Sequence, residues 1–482
     1  MESIPLALTY DDVLLKPQFS SINSRREVDC SSRFTKQIIL KAPFVSSNMD
    51  TVTGARMAIA VAEFGGIGVT HRFLPIDAQV RQVVKVKRHQ SRVIEDPSTI
   101  SPNATVGEAR LLMERLEING LPVIKDDRIL LGILTRRDVE LAEEGIPVAE
   151  RMTPLERLLS APPGVSMESA RRALSDRRLE KLPLVDGQGR LVGLITAKDL
   201  ARDLALTLAT RDEKGRLCVA AAVGVVGDFL ERAHDLVEAG ADALVVDIAH
   251  GDSAQMLTAL RQLRECIGAV PLAAGNVATA EGAERLIDTG VDAVKVGVGP
   301  GSMCITRQMA GVGVPQFTAL RETAEVAHKH DVPVIADGGI RNPGDVAKAI
   351  GAGASTIMLG SLLAGTDESP GFVIVRKGRK MKVARGMAST EAAVDRAIRD
   401  DPAMGWANWQ SAESAVVAEG VQAPVLHRGS AREVMEHLLA GLRSGMSYCD
   451  AENIGQMWQN AKFVRQTESG IREAGTQDVD WF

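Results

Sequence analysis

The chain has 482 residues, 45% of them hydrophobic, with 56 Lys and Arg against 62 Asp and Glu, a formal net charge of -6. That length allows one large domain plus a smaller one, and the acidic balance argues against a general nucleic-acid binder or a membrane-surface protein, although local loops can still bind anions. The five cysteines (Cys30, Cys218, Cys266, Cys304, Cys449) are irregularly spaced and include no Cys-x-x-Cys pair, so neither a disulfide frame nor a zinc site is expected.

Asp11 and Asp12 interrupt the first apolar residues, which does not fit a signal peptide, and no apolar run approaches the ~20 residues that span a bilayer. A cytoplasmic protein is expected. After Leu8-Thr9-Tyr10-Asp11-Asp12 the chain reaches Ala42-Pro43-Phe44-Val45-Ser46-Ser47-Asn48-Met49, a short apolar run ending in small polar residues. This is the pattern of a buried parallel strand running into a functional loop. Gly65-Gly66-Ile67-Gly68-Val69-Thr70-His71 repeats it, and His71 reads as a capping or packing residue. Beyond about residue 92 a different unit occurs twice. Gly120-Leu121-Pro122-Val123-Ile124 is followed by a run ending in Thr135-Arg136-Arg137-Asp138, and Lys181-Leu182-Pro183-Leu184-Val185 by one ending in Thr196-Ala197-Lys198-Asp199. Each copy predicts two strands and a helix opened by Thr-x-x-Asp, where the hydroxyl can cap the helix. A repeat that comes as a pair suggests two modules packed on each other.

From Cys218 the first pattern resumes, with strand-like runs over 219–225, 243–247, 271–276, 294–298, 333–337 and 356–360, and helical stretches such as 228–238 and 342–350 between several of them. With the two earlier runs this makes roughly eight strand-then-helix units, the number that closes a (β/α)₈ TIM barrel. The expected domains are residues 1–92 and 207–482 for the barrel, and 93–206 for the inserted pair, divided at about 148/149. Strand C-termini hold the active site in such a barrel, which gathers Ser47, Asp247, Asn276, Cys304, Asp337 and Ser361 at one rim.

The loop over 297–316 follows what reads as an apolar run, Ala293 to Val296, and is dense in glycine. Within it Cys304 lies between Ser302 and Thr306. A thiol beside hydroxyls and backbone dipoles can be held as the attacking thiolate; a buried cysteine in a strand-end turn is the alternative. Asp337-Gly338-Gly339 and Gly360-Ser361 offer backbone N–H groups and a hydroxyl to a phosphate, and a carboxylate to the two hydroxyls of a ribose. Asp337 can equally serve as a strand-end cap or an internal salt-bridge partner.

The loop Gly299-Pro300-Gly301-Ser302-Met303-Cys304-Ile305-Thr306 resembles the catalytic signature of the IMP dehydrogenase / GMP reductase family, and the likeness extends over almost the whole chain. The resemblance implies that Cys304 bonds covalently to C2 of a purine nucleotide. It implies nucleotide contacts from Ser302, Asp337, Gly339, Gly360, Ser361, Gly386 and Met387, with Ser47 and Met49 at the base. Asp247 and Asn276, with Gly297 and Gly299, fall on the dinucleotide side, where a purely structural rim carboxylate is the alternative for Asp247. The carbonyls of Gly299, Gly301 and Cys304 match a potassium site. The repeated unit resembles a tandem CBS pair (Bateman module), which implies an adenine or guanine nucleotide near Thr135, Asp138, Thr196 and Asp199, or capping roles alone. Homotetramers, joined in pairs into octamers by CBS modules, are the implied assembly.

The family's two branches share the covalent intermediate and differ in whether water is activated. In the dehydrogenase branch an adjacent Arg-Tyr pair on a flap does this; here Arg396 is followed by Ala397, and the chain's two tyrosines, Tyr10 and Tyr448, lie outside the flap. Ala384 also replaces a tyrosine usual in dehydrogenases. Thr306 and Glu419 match residues that assist ammonia departure in the reductase branch, although both occur in dehydrogenases and Glu419 can instead anchor the flap. The reading is therefore an NADPH-dependent GMP reductase of purine salvage. The alternatives are an IMP dehydrogenase using NAD, with Arg396 or Arg399 working without tyrosine, and a silent regulatory homologue, against which the intact Cys304 loop argues. The segment over 390–418 is longer than a typical reductase loop, and its Trp406 and Trp409 read as lid or packing residues, with cofactor stacking as the alternative.

Overall fold

A computed structural model describes residues 4–89, 93–116, 118–198, 200–201, 206–400 (side chains to 395) and 418–474. The chain divides into two compact units, one of Met1–His89, Leu208–Asp212 and Leu217–Phe482, the other of Gln90–Thr207 and Glu213–Arg216.

In the first unit the short apolar runs become eight strands: β1 (Phe44–Ser46), β2 (Ile67–Thr70), β3 (Val219–Val223), β4 (Ala243–Asp247), β5 (Leu272–Val277), β6 (Ala293–Val296), β7 (Val334–Asp337) and β8 (Thr356–Leu359). They pair in parallel in sequence order, and β8 pairs with β1 to close the barrel. With helices between the strands, this is a (β/α)₈ TIM barrel. Alternation explains why both faces are buried. Val45, Val69, Ala220, Val245, Ala273 and Ile335 share an inner cluster, while Phe44, Ala221, Val246, Val294 and Ile357 belong to the larger cluster that includes the helices. The inner set is rich in alanine, which lets eight strands fill a narrow interior with side chains. β3 ends at Val223, two residues short of the predicted end.

The helices start and stop where local chemistry dictates. Asn342 accepts the N–H of Asp345 at 3.0 Å ahead of Pro343–Gly351, with proline in its first turn. Ala55–Phe64 ends at Gly65, which at a φ of 101° donates its N–H to the carbonyls of Ala62 and Val61. That helix packs closely on β2: a Cβ added to Gly68 would stand 2.4 Å from Ala58 Cα and 2.6 Å from Ala58 Cβ. Neither atom is a flexible tip, so Gly68→Ala is expected to lower stability by ~1–3 kcal/mol. A denaturant-melt midpoint equal to the parent's would contradict this packing. No described helix is long and apolar enough to cross a membrane.

The second unit consists of two similar halves. Gly120–Lys125 pairs antiparallel with Ile129–Thr135, and Lys181–Val185 with Leu191–Thr196, each over its own apolar cluster. One hydrogen bond recurs in both: Arg136 N–H donates to Asn119 O at 3.1 Å and Ala197 N–H to Glu180 O at 2.8 Å. The Thr-x-x-Asp of the first half opens Arg136–Glu140 as a reciprocal capping box, in which the carboxylate also accepts. Asp138 Oδ2 takes both the N–H and the hydroxyl of Thr135 at 2.7 Å.

Candidate active site

Because side chains alternate along each strand, the last inward rung of the barrel is set by the sequence of β1 and β4–β7. Ser47 continues the face of Val45, Asp247 that of Val245, Gly275 that of Ala273, Lys295 that of Ala293, and Asp337 that of Ile335. Above this rung opens a cavity of about 320 Å³. Every rim residue expected from the sequence lines it: the three named as catalytic, and all those assigned to nucleotide, dinucleotide and cation. Thr135, Asp138 and Thr196 lie in the second unit, and Asp199 lies outside the described residues. A cavity of about 260 Å³ in that unit is lined by Arg110, Arg136 and Glu140 but not by Thr135, Asp138 or Thr196, the described residues expected to hold a nucleotide.

The thiol belongs to a relay. Cys304 Sγ lies 3.1 Å from Thr306 Oγ1, which donates to Glu419 Oε2 at 2.8 Å. Backbone bonds hold the partners together: Ile305 N–H reaches Glu419 O at 2.8 Å, and Val421 N–H reaches Met303 O at 3.0 Å. Gly297 allows the loop's entry, since a Cβ there would stand 2.1 Å from Asp337 O. Arg307 then closes the loop, donating to Val298 O at 3.3 Å and to Val314 O at 2.5 Å.

At one end of the cavity Ser302 and Ser361 hydroxyls meet at 3.1 Å, beside Gly338 and Gly339 with φ of 97° and 84°. The Gly386-Met387 turn sits over the first-strand loop, with Asp50 N–H directed at Met387 Sδ at 3.4 Å. Arg385 holds that turn. Its Nε donates to Asp50 Oδ2 at 2.8 Å and its Nη1 lies 2.6 Å from Asp395 of the following helix. Burial works against the guanidinium charge, but the two carboxylates outweigh it and raise its pKa.

The floor carries a residue that sequence reasoning missed. Lys295, inside the run read as apolar, is 2% exposed, and its Nζ lies 2.6 Å from Asp247 Oδ1 and 3.2 Å from Asp337 Oδ2. The run is thus not wholly apolar: a lysine between two valines was the available signal. Burial alone would discharge the ammonium, yet the two carboxylates raise its pKa and keep it charged. Burial likewise opposes ionisation of Asp247, but Lys295, Arg72 and Asn48 hold its carboxyl below the ordinary range. Asn276 Nδ2 donates to Asp337 Oδ2 and to Gly297 O, both at 2.8 Å. Asp337 is therefore a salt-bridge partner that also faces the cavity. Arg72 and Phe73 line the same side, the guanidinium carbon 4.8 Å from the ring centroid. The sequence reading had stopped one residue earlier, at His71.

The IMP dehydrogenase / GMP reductase domain family matches residues 7–477. The chain belongs to this family. Among curated relatives, the inosine-5'-monophosphate dehydrogenases of Nitrosopumilus maritimus and Aquifex aeolicus are each 47% identical, over 98% and 99% of this chain and 98% and 96% of theirs. Among solved structures, a cysteine-to-alanine variant of GMP reductase from Trypanosoma brucei in complex with guanosine 5'-monophosphate is 44% identical, with a TM-score of 0.91 over 99% of both chains. The same reductase in complex with guanosine 5'-triphosphate is 40% identical, with a TM-score of 0.80 over 96% of this chain and 99% of that one. The family makes this chain an oxidoreductase of purine nucleotide metabolism that uses a nicotinamide dinucleotide.

Proposed function

We propose that the protein is a GMP reductase that converts GMP and NADPH to IMP, ammonia and NADP in purine salvage. The observation that carries the reading is a Cys304–Thr306–Glu419 relay in a cavity with no tyrosine among its described lining residues. Tyr10 is fully buried with its ring next to Gly339, and Tyr448 ends the helix Ala431–Tyr448. A positioned general base is worth ~10²- to 10⁴-fold, so without the Arg-Tyr pair hydrolysis of the adduct is the impaired step, and amine departure is the step the relay serves.

The proton balance closes within the relay. The Cys304 proton passes through Thr306 to Glu419, and the thiolate attacks C2. The C2–N bond breaks as the same proton returns through Thr306 to the leaving amine, which departs as ammonia. NADPH, when bound, supplies a hydride to C2. The C–S bond then breaks, and the released thiolate takes a proton from solvent. Asp247, Asn276, Gly297 and Gly299 would hold the dinucleotide, for which the cavity floor offers the side-chain amide and carboxylate. Ser302, Gly339, Gly360 and Ser361 would take the phosphate, Asp337 the ribose, and Ser47, Met49, Gly386 and Met387 the base. The carbonyls of Gly299, Gly301 and Cys304 would supply oxygen ligands of the kind that suit potassium.

The second unit is proposed as a CBS pair that binds a purine nucleotide through Thr135, Asp138, Thr196 and Asp199. The reductase solved with guanosine 5'-triphosphate makes that nucleotide the first to try. A homotetramer able to pair into an octamer, in the cytoplasm, completes the proposal.

The second reading is an IMP dehydrogenase, favoured by the names of relatives 46–47% identical across nearly the whole chain. Absorbance at 340 nm separates the two. The proposal expects loss of absorbance with GMP plus NADPH in potassium buffer; a gain with IMP plus NAD, and no loss with GMP, would overturn it.

A further inference from the structure

Two carboxylates that face one buried floor repel each other in a medium where charge is poorly screened. Between Asp247 at the end of β4 and Asp337 at the end of β7 stands a single ammonium, Lys295 of β6, bonded to both. The fold makes space for it. A Cβ at Gly275 on the adjacent β5 would stand 2.7 Å from Lys295 Cβ and 2.4 Å from its carbonyl oxygen. Asn276, one residue on, donates to Asp337 but not to Asp247 within the described bonds. Asp337 keeps Asn276 as a neutral partner, and Asp247 keeps Asn48 and the nearby charge of Arg72, with Lys295 as its nearest described cation at 2.6 Å. The relay that touches the reacting carbon lies elsewhere on the rim, so this floor does not act on bonds that break.

We propose that Lys295 is a positioning residue that couples the two ligand subsites: one shared ammonium holds Asp337 toward the nucleotide ribose and Asp247 toward the dinucleotide. The proposal rests on the subsite assignments above, though not on which branch of the family the enzyme follows. It has a consequence that a packing role does not. Removing the ammonium leaves two facing carboxylates, and removing one of those carboxylates as well relieves the damage to the other.

The test is equilibrium binding of GMP and of IMP, each by calorimetry, to the full-length protein without dinucleotide. Lys295→Met keeps the length of the side chain without the charge, and is expected to weaken nucleotide binding by at least ~30-fold, the scale of breaking a buried pair. Lys295→Arg restores the charge and is expected to recover most of that loss. Lys295→Met combined with Asp247→Asn is expected to bind nucleotide at least ~5-fold more tightly than Lys295→Met alone, because Asp337 is freed of its like-charged neighbour and keeps Asn276. Additive or worse loss in the double variant overturns the coupling. Should Lys295→Met fail to fold, the double variant decides: it should fold and bind, and its failure to fold makes Lys295 a packing element and ends the proposal. A dehydrogenase would show as absent GMP turnover with this binding pattern intact on IMP. Absence of binding of either nucleotide to the parent protein would overturn the subsite assignments and the proposal together.

Discussion

Cys304→Ala is expected to abolish turnover with GMP and with IMP alike, a loss on the order of ~10⁶-fold if it behaves as other removed nucleophiles do. The substitution removes the sulfur that must bond to C2, while the backbone that holds the loop is untouched. The Cys304 N–H to Gly301 O turn at 3.0 Å and the pairing of Cys304 with Gly420 are main-chain features that alanine keeps. Nucleotide binding should therefore persist within a few-fold. Calorimetry with GMP beside a 340 nm assay reads both quantities, and residual turnover of a tenth or more would refute a covalent role.

The second large effect lies in the relay. Thr306→Val and Glu419→Gln should each slow ammonia release by ~10²- to 10⁴-fold, or about 3–5 kcal/mol of barrier. The two groups act on one proton in series, at 3.1 Å and 2.8 Å along a single line from Cys304. The double variant should consequently be little worse than the slower single one. Hydride transfer measured from IMP to NADP should fall far less, because no amine leaves in that direction. Equal losses in both steps would mean that Thr306 and Glu419 act on the Cys304 thiol or the loop and do not carry the proton to the leaving amine.

Much of this site is legible in the sequence because a barrel converts strand order into proximity. Once eight strand-ending loops are recognised, Ser47, Asp247, Cys304 and Asp337 must share a rim, and a glycine-dense loop around a thiol marks the chemistry. Lys295 escapes the same reading for a physical reason. Between Val294 and Val296 it looks like one polar lapse in a buried strand, and its partners lie 48 and 42 positions away. Only the closed barrel shows that its inward direction meets both carboxylates. Glu419 is 113 positions from Thr306 and was found by resemblance, since no local pattern ties them. No sequence pattern marks Arg385, which the structure makes the tie between Asp50 and Asp395. The repeat in the second unit was readable because the same hairpin and the same Thr-x-x-Asp recur. Asp199, Trp406, Trp409 and the side chains of Arg396 and Arg399 lie outside the described residues.

The most direct test of the reductase assignment follows the exocyclic nitrogen. GMP labelled with ¹⁵N at the 2-amino group, incubated with the full-length enzyme, potassium and NADPH, should yield labelled ammonia and unlabelled IMP in equal amounts, one of each per NADPH oxidised. Labelled nitrogen retained wholly in GMP, together with XMP and NADH formed from IMP and NAD, would contradict the assignment and leave the dehydrogenase as the enzyme this relay serves.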